Sequence, residues 1–323
     1  MFSLLSGCAS EPAKAPDWVA GDSAKYRNAE YLIGRGHAAS QEEAKDRARA
    51  DIAKVFQMAV VVSSEDIQSS KSDGTAAKYE EQNSRRISTR TDQIVSGIQI
   101  AELWQDPANG SYHVLAVLPR LQAAAALRQQ ISELDGATAN YIGQSRKEND
   151  LFLKIAAANH ALETQLERES LQKNLQVVDI TGRGVESQWS SAKLKADLGE
   201  LLKRVSIAPR VPADAPAGLA EIVAGALAQA GFLLDTSDHP AFVLEAKLNL
   251  ADLGLSDGWY WVRGNLEITL TETSGIRVRG TRHWTIKGNA QNRDSATKRA
   301  MDQADAILKR ELGAAIIGMV TAK

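Results

Sequence analysis

Cysteine is nearly absent from this chain: Cys8 alone stands among 323 residues, and the five histidines are scattered. A single thiol excludes an internal disulfide and any CxxC or Cys/His zinc pattern. Charge of one sign is also missing. With 38 basic against 40 acidic residues and a net charge of −2, no basic tract offers itself to nucleic acid. No stretch approaches the about 18 consecutive apolar residues that a spanning helix requires. Catalytic signatures are lacking too. There is no GxSxG elbow and no HExxH. Gly34-Arg35-Gly36 and Gly182-Arg183-Gly184 do not extend into a phosphate-binding pattern, and read as strand ends or tight turns. His160, Glu163 and Glu167 share one helical face without a second histidine nearby, which suits a solvated face better than a metal. The carboxylate pairs Glu42-Glu43 and Glu80-Glu81 lie in polar surroundings. No catalytic residue, cofactor or metal is therefore expected, although a missing motif does not exclude an enzyme.

What is present begins with Cys8. The segment Leu5-Ser6-Gly7-Cys8 resembles the lipobox of bacterial lipoproteins, in which the cysteine becomes the first mature residue and carries lipid. Only Met1 to Leu5 precede it, without the basic n-region or the about 7–15 apolar residues of a secretory signal. The expectation is a start codon further upstream. Residues 9–16 are small, polar and twice interrupted by proline, a tether rather than a packed element. The lipobox likeness implies more than one acyl chain, enough for stable anchoring. By the sorting tendency of such lipoproteins, Ala9 after the cysteine implies the outer membrane. The alternative is a cytoplasmic protein with one free thiol.

Hydrophobic residues make up 44% and charged residues 24%, the balance of an ordinary globular protein, and the length allows two domains. Residues 1–16 read as a truncated signal and tether, and 17–135 as a first domain. Within it, a strand at 31–38 is followed by Ser40 and Glu43, a capping box. Ala44, Ala48, Ile52, Val55 and Phe56 then recur at helical spacing over 41–57. The β-branched run Met58 to Val62 predicts a strand, and 63–95 an exposed ribbon or excursion. Strands at 98–104 and 112–118 and a helix at 120–134 complete this domain. Residues 136–175 form a connector of one long helix or a helical pair. The second domain, 176–323, predicts a strand at 177–180, a helix at 191–204, a strand at 205–208 and a helix at 219–230 closed by Gly231. Three strands follow (232–250 with a break, 260–271 and 276–287), then a helix at 294–318. The fold class is α+β: two small antiparallel-sheet domains, each covered by helices and joined by a long helical segment.

The hairpin 260–287 carries finer information. Its apolar positions are Val262, Leu266, Ile268 and Leu270 on one strand and Ile276, Val278, Trp284 and Ile286 on the other. Opposed residues must share a face. A three-residue loop Thr273-Ser274-Gly275 would place Leu270 opposite Val278 and Trp261 opposite Lys287. Trp259, Trp261, Arg263, Asn265, Arg277, Arg279, His283 and Lys287 then lie together on the other face. Exposed tryptophans among basic residues are what a partner-binding surface uses, with Lys287 held over the Trp261 ring. The competing reading is that another element covers this face and the indoles are core.

The first domain resembles the LPP20-type lipoprotein family. The likeness is carried by Pro16-Asp17-Trp18-Val19, Tyr31-Leu32-Ile33-Gly34-Arg35-Gly36, the alanine-rich helix from Glu43 to Ala50, Ile98 to Trp104, and Gly110 to Leu118. It implies an envelope-associated, non-catalytic protein, related to outer-membrane antigens and flagellar outer-ring assembly proteins. The second half loosely resembles domains of periplasmic assembly lipoproteins, including activators of peptidoglycan synthases. The leading expectation is a scaffold or assembly factor on the periplasmic face of the outer membrane. Its expected partners are the membrane, through the lipid, and envelope proteins. A regulator of a peptidoglycan synthase and an envelope hydrolase remain as alternatives.

Overall fold

The computed structural model describes residues 14–68 and 97–321. The chain is α+β and divides into two compact units. Among the described residues, one takes 14–68, 97–133 and 168–186, and the other takes 134–167 and 187–321.

The first unit opens with the short helix α1 (Asp17–Ala20), strand β1 (Tyr31–Ala38) and helix α2 (Gln41–Gln68). Strands β2 (Gln99–Gln105) and β3 (Tyr112–Pro119) complete an antiparallel sheet ordered β1-β3-β2. α2 lies on one face of this sheet, burying Ala44, Ala48, Ile52 and Phe56. The close approach depends on the glycines of β1. A Cβ on Gly34 would run into the Ala48 carbonyl, and one on Gly36 into that of Ala44. The glycine-Arg35-glycine segment is thus a packing device. Arg35 points to the opposite face, where Nε donates to the Trp18 carbonyl at 2.9 Å. There Trp18 packs on Leu115 and Val117, and its indole N–H donates to the Glu102 carboxylate at 2.7 Å. At the start of α2 the Ser40 hydroxyl accepts from the Glu43 amide. The Glu43 carboxylate turns to Arg47 instead, so half of the capping box is made.

Met58 to Val62, expected as a strand, belong to α2. The helix is already running there, and each further residue adds a backbone hydrogen bond, so the weak β preference of branched side chains is overridden. The excursion expected at 63–95 is helical to Gln68 and otherwise falls outside the described residues.

The connector is a pair: α3 (Arg120–Lys147) and α4 (Leu151–Val178). The break is set by Asp150, whose Oδ1 accepts from the amides of Phe152 and Leu153 at the start of α4. α4 runs through Val178, where a strand was expected at 177–180. Arg120 caps this end, Nη1 donating to the carbonyls of Val177 and Val178. That long-range cap supplies what no local residue signals.

The second unit contains α5 (Ser191–Leu202), β4 (Ser206–Arg210), α6 (Leu219–Gln229), β5 (Leu233–Leu234), β6 (Phe242–Ser256), β7 (Trp259–Glu272), β8 (Arg277–Ala290) and α7 (Arg293–Thr321). The sheet order is β5-β4-β6-β7-β8. β4 pairs parallel with both neighbours, so this sheet is mixed rather than purely antiparallel. The crossover α6 between β4 and β5 requires that. α7 covers the inner face with Ala296, Ala300, Ala304, Leu308, Leu312 and Ile316, all fully buried against residues such as Leu266, Ile268, Leu270 and Ile286.

Candidate functional site

The inner face of β6–β8 is closed by α7, and on the other face most of the described side chains are exposed. Strand alternation decides who stands on it. Val262 is buried, while Trp259 and Trp261 are 39% and 40% exposed. Arg263, Asn265, His283 and Lys287 are exposed with them. The tryptophans are thus surface residues rather than core.

The pairing across this face differs from the expected one by two residues. Trp261 faces Asn289, Arg263 faces Lys287, Asn265 faces Thr285 and Glu267 faces His283. The cause lies at the far turn. Glu272 pairs with Arg277, so the connection holds four residues rather than three, with Gly275 at φ 93° and Ile276 at φ 51°. Four residues give an odd register, and a bulge between Leu270 and Thr271 on one side and Gly280 and Val278 on the other corrects it. Near the turn the faces are exchanged. Val278 faces Thr271 and is 59% exposed, and Ile276 is 84% exposed, where both were expected in the core.

Arg279 is the bulged residue, and its placement overturns its assignment to the open face. Its side chain is only 7% exposed, held at 2.8 Å from Asp150 Oδ2 and 3.2 Å from Glu272 Oε2. The guanidinium lies 5.8 Å from the Phe152 ring centre. A bulge re-aims one side chain, here into a half-buried ion-pair cluster. Burial opposes ionisation of Asp150, but hydrogen bonds from Arg279 and from the Leu153 and Phe152 amides outweigh it, holding the carboxyl below the usual range. The expected cation–π contact between Lys287 and Trp261 is not formed, since Lys287 stands opposite Arg263.

The resulting face has an uneven charge pattern. Lys247 is paired with Glu245 at 3.1 Å, and His283 with Glu267 at 3.4 Å. Arg263 and Lys287 oppose each other directly, and neither side chain has an ion pair among the described residues. Like charges opposed across a ladder are destabilising, so this pair works against the fold.

Sequence reasoning missed the other end of the hairpin. β6 and β7 join through a two-residue turn, Asp257 at φ 53° and Gly258 at φ 79°. Asp-Gly between strand-like runs is the strong local signal for that turn. Next to it, Leu253 and Leu255 are each 62% exposed.

Elsewhere, His160 pairs with Glu163 at 3.3 Å, and His37 stacks on His113 at 5.8 Å. No group of three or more His, Cys, Asp or Glu side chains among the described residues could hold a metal ion. No described helix is long and apolar enough to cross a membrane. Cys8 lies outside the described residues.

Comparison with known proteins bears on the first unit. Residues 16–119 match the LPP20 lipoprotein family. The matched stretch contains Trp18, the Gly34-Arg35-Gly36 packing segment, α2 and all three strands of the smaller sheet. Among solved structures, the chain is similar to the secreted protein HP1454 of Helicobacter pylori. That likeness has 15% identity and a TM-score of 0.42, and covers 91% of this chain and 99% of that one. It is also similar to a minor lipoprotein of Acinetobacter baumannii, with 15% identity and a TM-score of 0.26 over 37% of this chain and 93% of that one. No curated protein matches.

Proposed function

We propose that this chain is a non-catalytic envelope lipoprotein, anchored through Cys8 on the periplasmic face of the outer membrane and working as a scaffold through surface contacts. The LPP20 match over residues 16–119 supports the envelope lipoprotein part. The Leu5-Ser6-Gly7-Cys8 segment supports the anchor, and Ala9 the outer membrane. The observation that carries the contact role is the open face of β6–β8. There two tryptophans about 40% exposed stand beside a like-charged pair that has no ion-pair partner among the described residues. Trp259, Trp261, Arg263, His283 and Lys287 make up that surface. Arg279 acts beneath it, as part of the fold.

Replacement of Asn265, which is exposed in the middle of this face, by a photo-crosslinking residue tests the reading in cells. Crosslinks to envelope components are expected, and Cys8→Ser should let a high-salt wash strip the protein from the membrane fraction, which the acylated chain resists. Crosslinks to cytoplasmic proteins alone would overturn the reading.

A further inference from the structure

We infer that the β6–β7 hairpin tip, together with the Arg263–Lys287 pair behind it, seats on an anionic phospholipid surface. This deepens the proposed contact role, and rests on reading the Trp259–Lys287 face as a contact surface. Leu253, Leu255, Trp259 and Trp261 put four large, exposed apolar side chains within nine residues. They are not confined to one side. Trp259 pairs with Ser256 and Trp261 with Gly254, on the open face, while Leu255 pairs with Tyr260 on the other. A flat protein surface can cover one side of a ribbon. An apolar medium that surrounds the tip satisfies both.

The tip is also preformed. Asp257 and Gly258 hold positive φ values in a turn that matches strand twist. Asp252 Oδ1 accepts from the Gly254 amide at 2.8 Å, and its Oδ2 pairs with Arg293 at 2.8 Å. The exposure is therefore built in.

Charge and apolarity follow the order that a bilayer presents. Two positions behind Trp261, about 7 Å along the strand, stand Arg263 and Lys287. The headgroup layer of one leaflet is about 5–8 Å deep. Indoles seated at the interface, where tryptophan is favoured, put both cations at the phosphates. A lipid phosphate between them removes the repulsion that the fold tolerates. The nearby Asp252 is neutralised by Arg293. Asp257 remains at the apex, where its carboxylate opposes entry of the tip.

The test uses the full chain with Cys8→Ser, so that no acyl chain contributes, sedimented with phosphatidylglycerol-containing vesicles or with phosphatidylcholine alone. Binding is expected on the anionic vesicles and should weaken with salt. The W259S/W261S and R263E/K287E pairs should each lower it by about 10-fold or more. D257N should tighten it, and bromine-labelled lipid should quench the tip tryptophans. The unfolding midpoint of each variant checks that the fold is kept. No binding to anionic vesicles, or binding that the tip variants leave unchanged, overturns the inference. If vesicles fail while a photo-crosslinker at the tip captures an envelope protein, the lipid assignment falls and the contact role stands. If vesicles bind but Cys8 is not lipidated in cells, the anchor falls and the tip assignment stands.

Discussion

Arg279→Met removes a guanidinium that holds two carboxylates, and the structure sets the size of the loss. The Arg279 side chain is 7% exposed, and those of Asp150 and Glu272 are 32% and 26% exposed. Removing one partner of a fully buried pair costs about 3–5 kcal/mol, because the other charge is left unpaired. Partial access to water relieves some of that, so about 2–3 kcal/mol is expected here, or a Tm lower by about 5–10 °C. Methionine keeps most of the volume beside Phe152, so the loss reports charge more than packing. Its pH dependence follows from Asp150. Burial raises that carboxyl, but Arg279 and the two amides together hold it below its ordinary value. A depressed carboxyl stabilises above its unfolded pKa, and this contribution is lost as pH falls through the folded pKa. The gap between wild type and Arg279→Met should therefore be full at neutral pH, begin to shrink as pH nears about 4, the ordinary aspartate value, and close only once pH passes below the depressed folded value of Asp150. Urea unfolding across this range measures it. A neutral-pH loss under about 0.5 kcal/mol, or a gap indifferent to pH, would refute the ion-pair account.

The remaining predictions concern packing and exposure. Gly36→Ala, whose Cβ would meet the Ala44 carbonyl of α2, should cost about 1–3 kcal/mol in urea unfolding. Gly199→Ala, inside α5 with open space around it, should instead gain about 0.5–1 kcal/mol. Trp18→Phe strips the indole N–H from the Glu102 carboxylate and should cost about 1–3 kcal/mol by the same measurement. Iodide should quench Trp259 and Trp261 but not Trp18, which is 2% exposed; comparison of Trp→Phe variants resolves each contribution.

Where local patterns decided structure, the sequence was enough. The segment 31–38 predicted β1 at its observed bounds, although Gly34 and Gly36 stand inside the strand rather than at its end, and the Ala44–Phe56 stripe predicted the buried side of α2 except at Val55, which is exposed. The helix expected at 294–318 is α7, one face of which is fully buried along five turns. Long-range terms decided the rest. Met58–Val62 and Val177–Val178 follow helices extended from elsewhere, one by propagation and one by the Arg120 cap. In the hairpin, the parity argument placed Trp261, Arg263 and Lys287 on one face. It failed at Val278 and Arg279, because the turn holds one more residue and a bulge repairs the register. Nothing local distinguishes Arg279 from its exposed basic neighbours. Its partner Asp150 is 129 residues away. Asp257-Gly258 was readable, and with it the apolar tip could have been found.

On the proposed reading, Cys8 fixes location while the exposed face of β6–β8 makes the contacts. Intact mass of the protein extracted from its own host's membranes tests the anchor most directly. A mature chain beginning at Cys8 with added acyl mass on that residue is expected. A chain that retains Met1 and a free Cys8 thiol would contradict it.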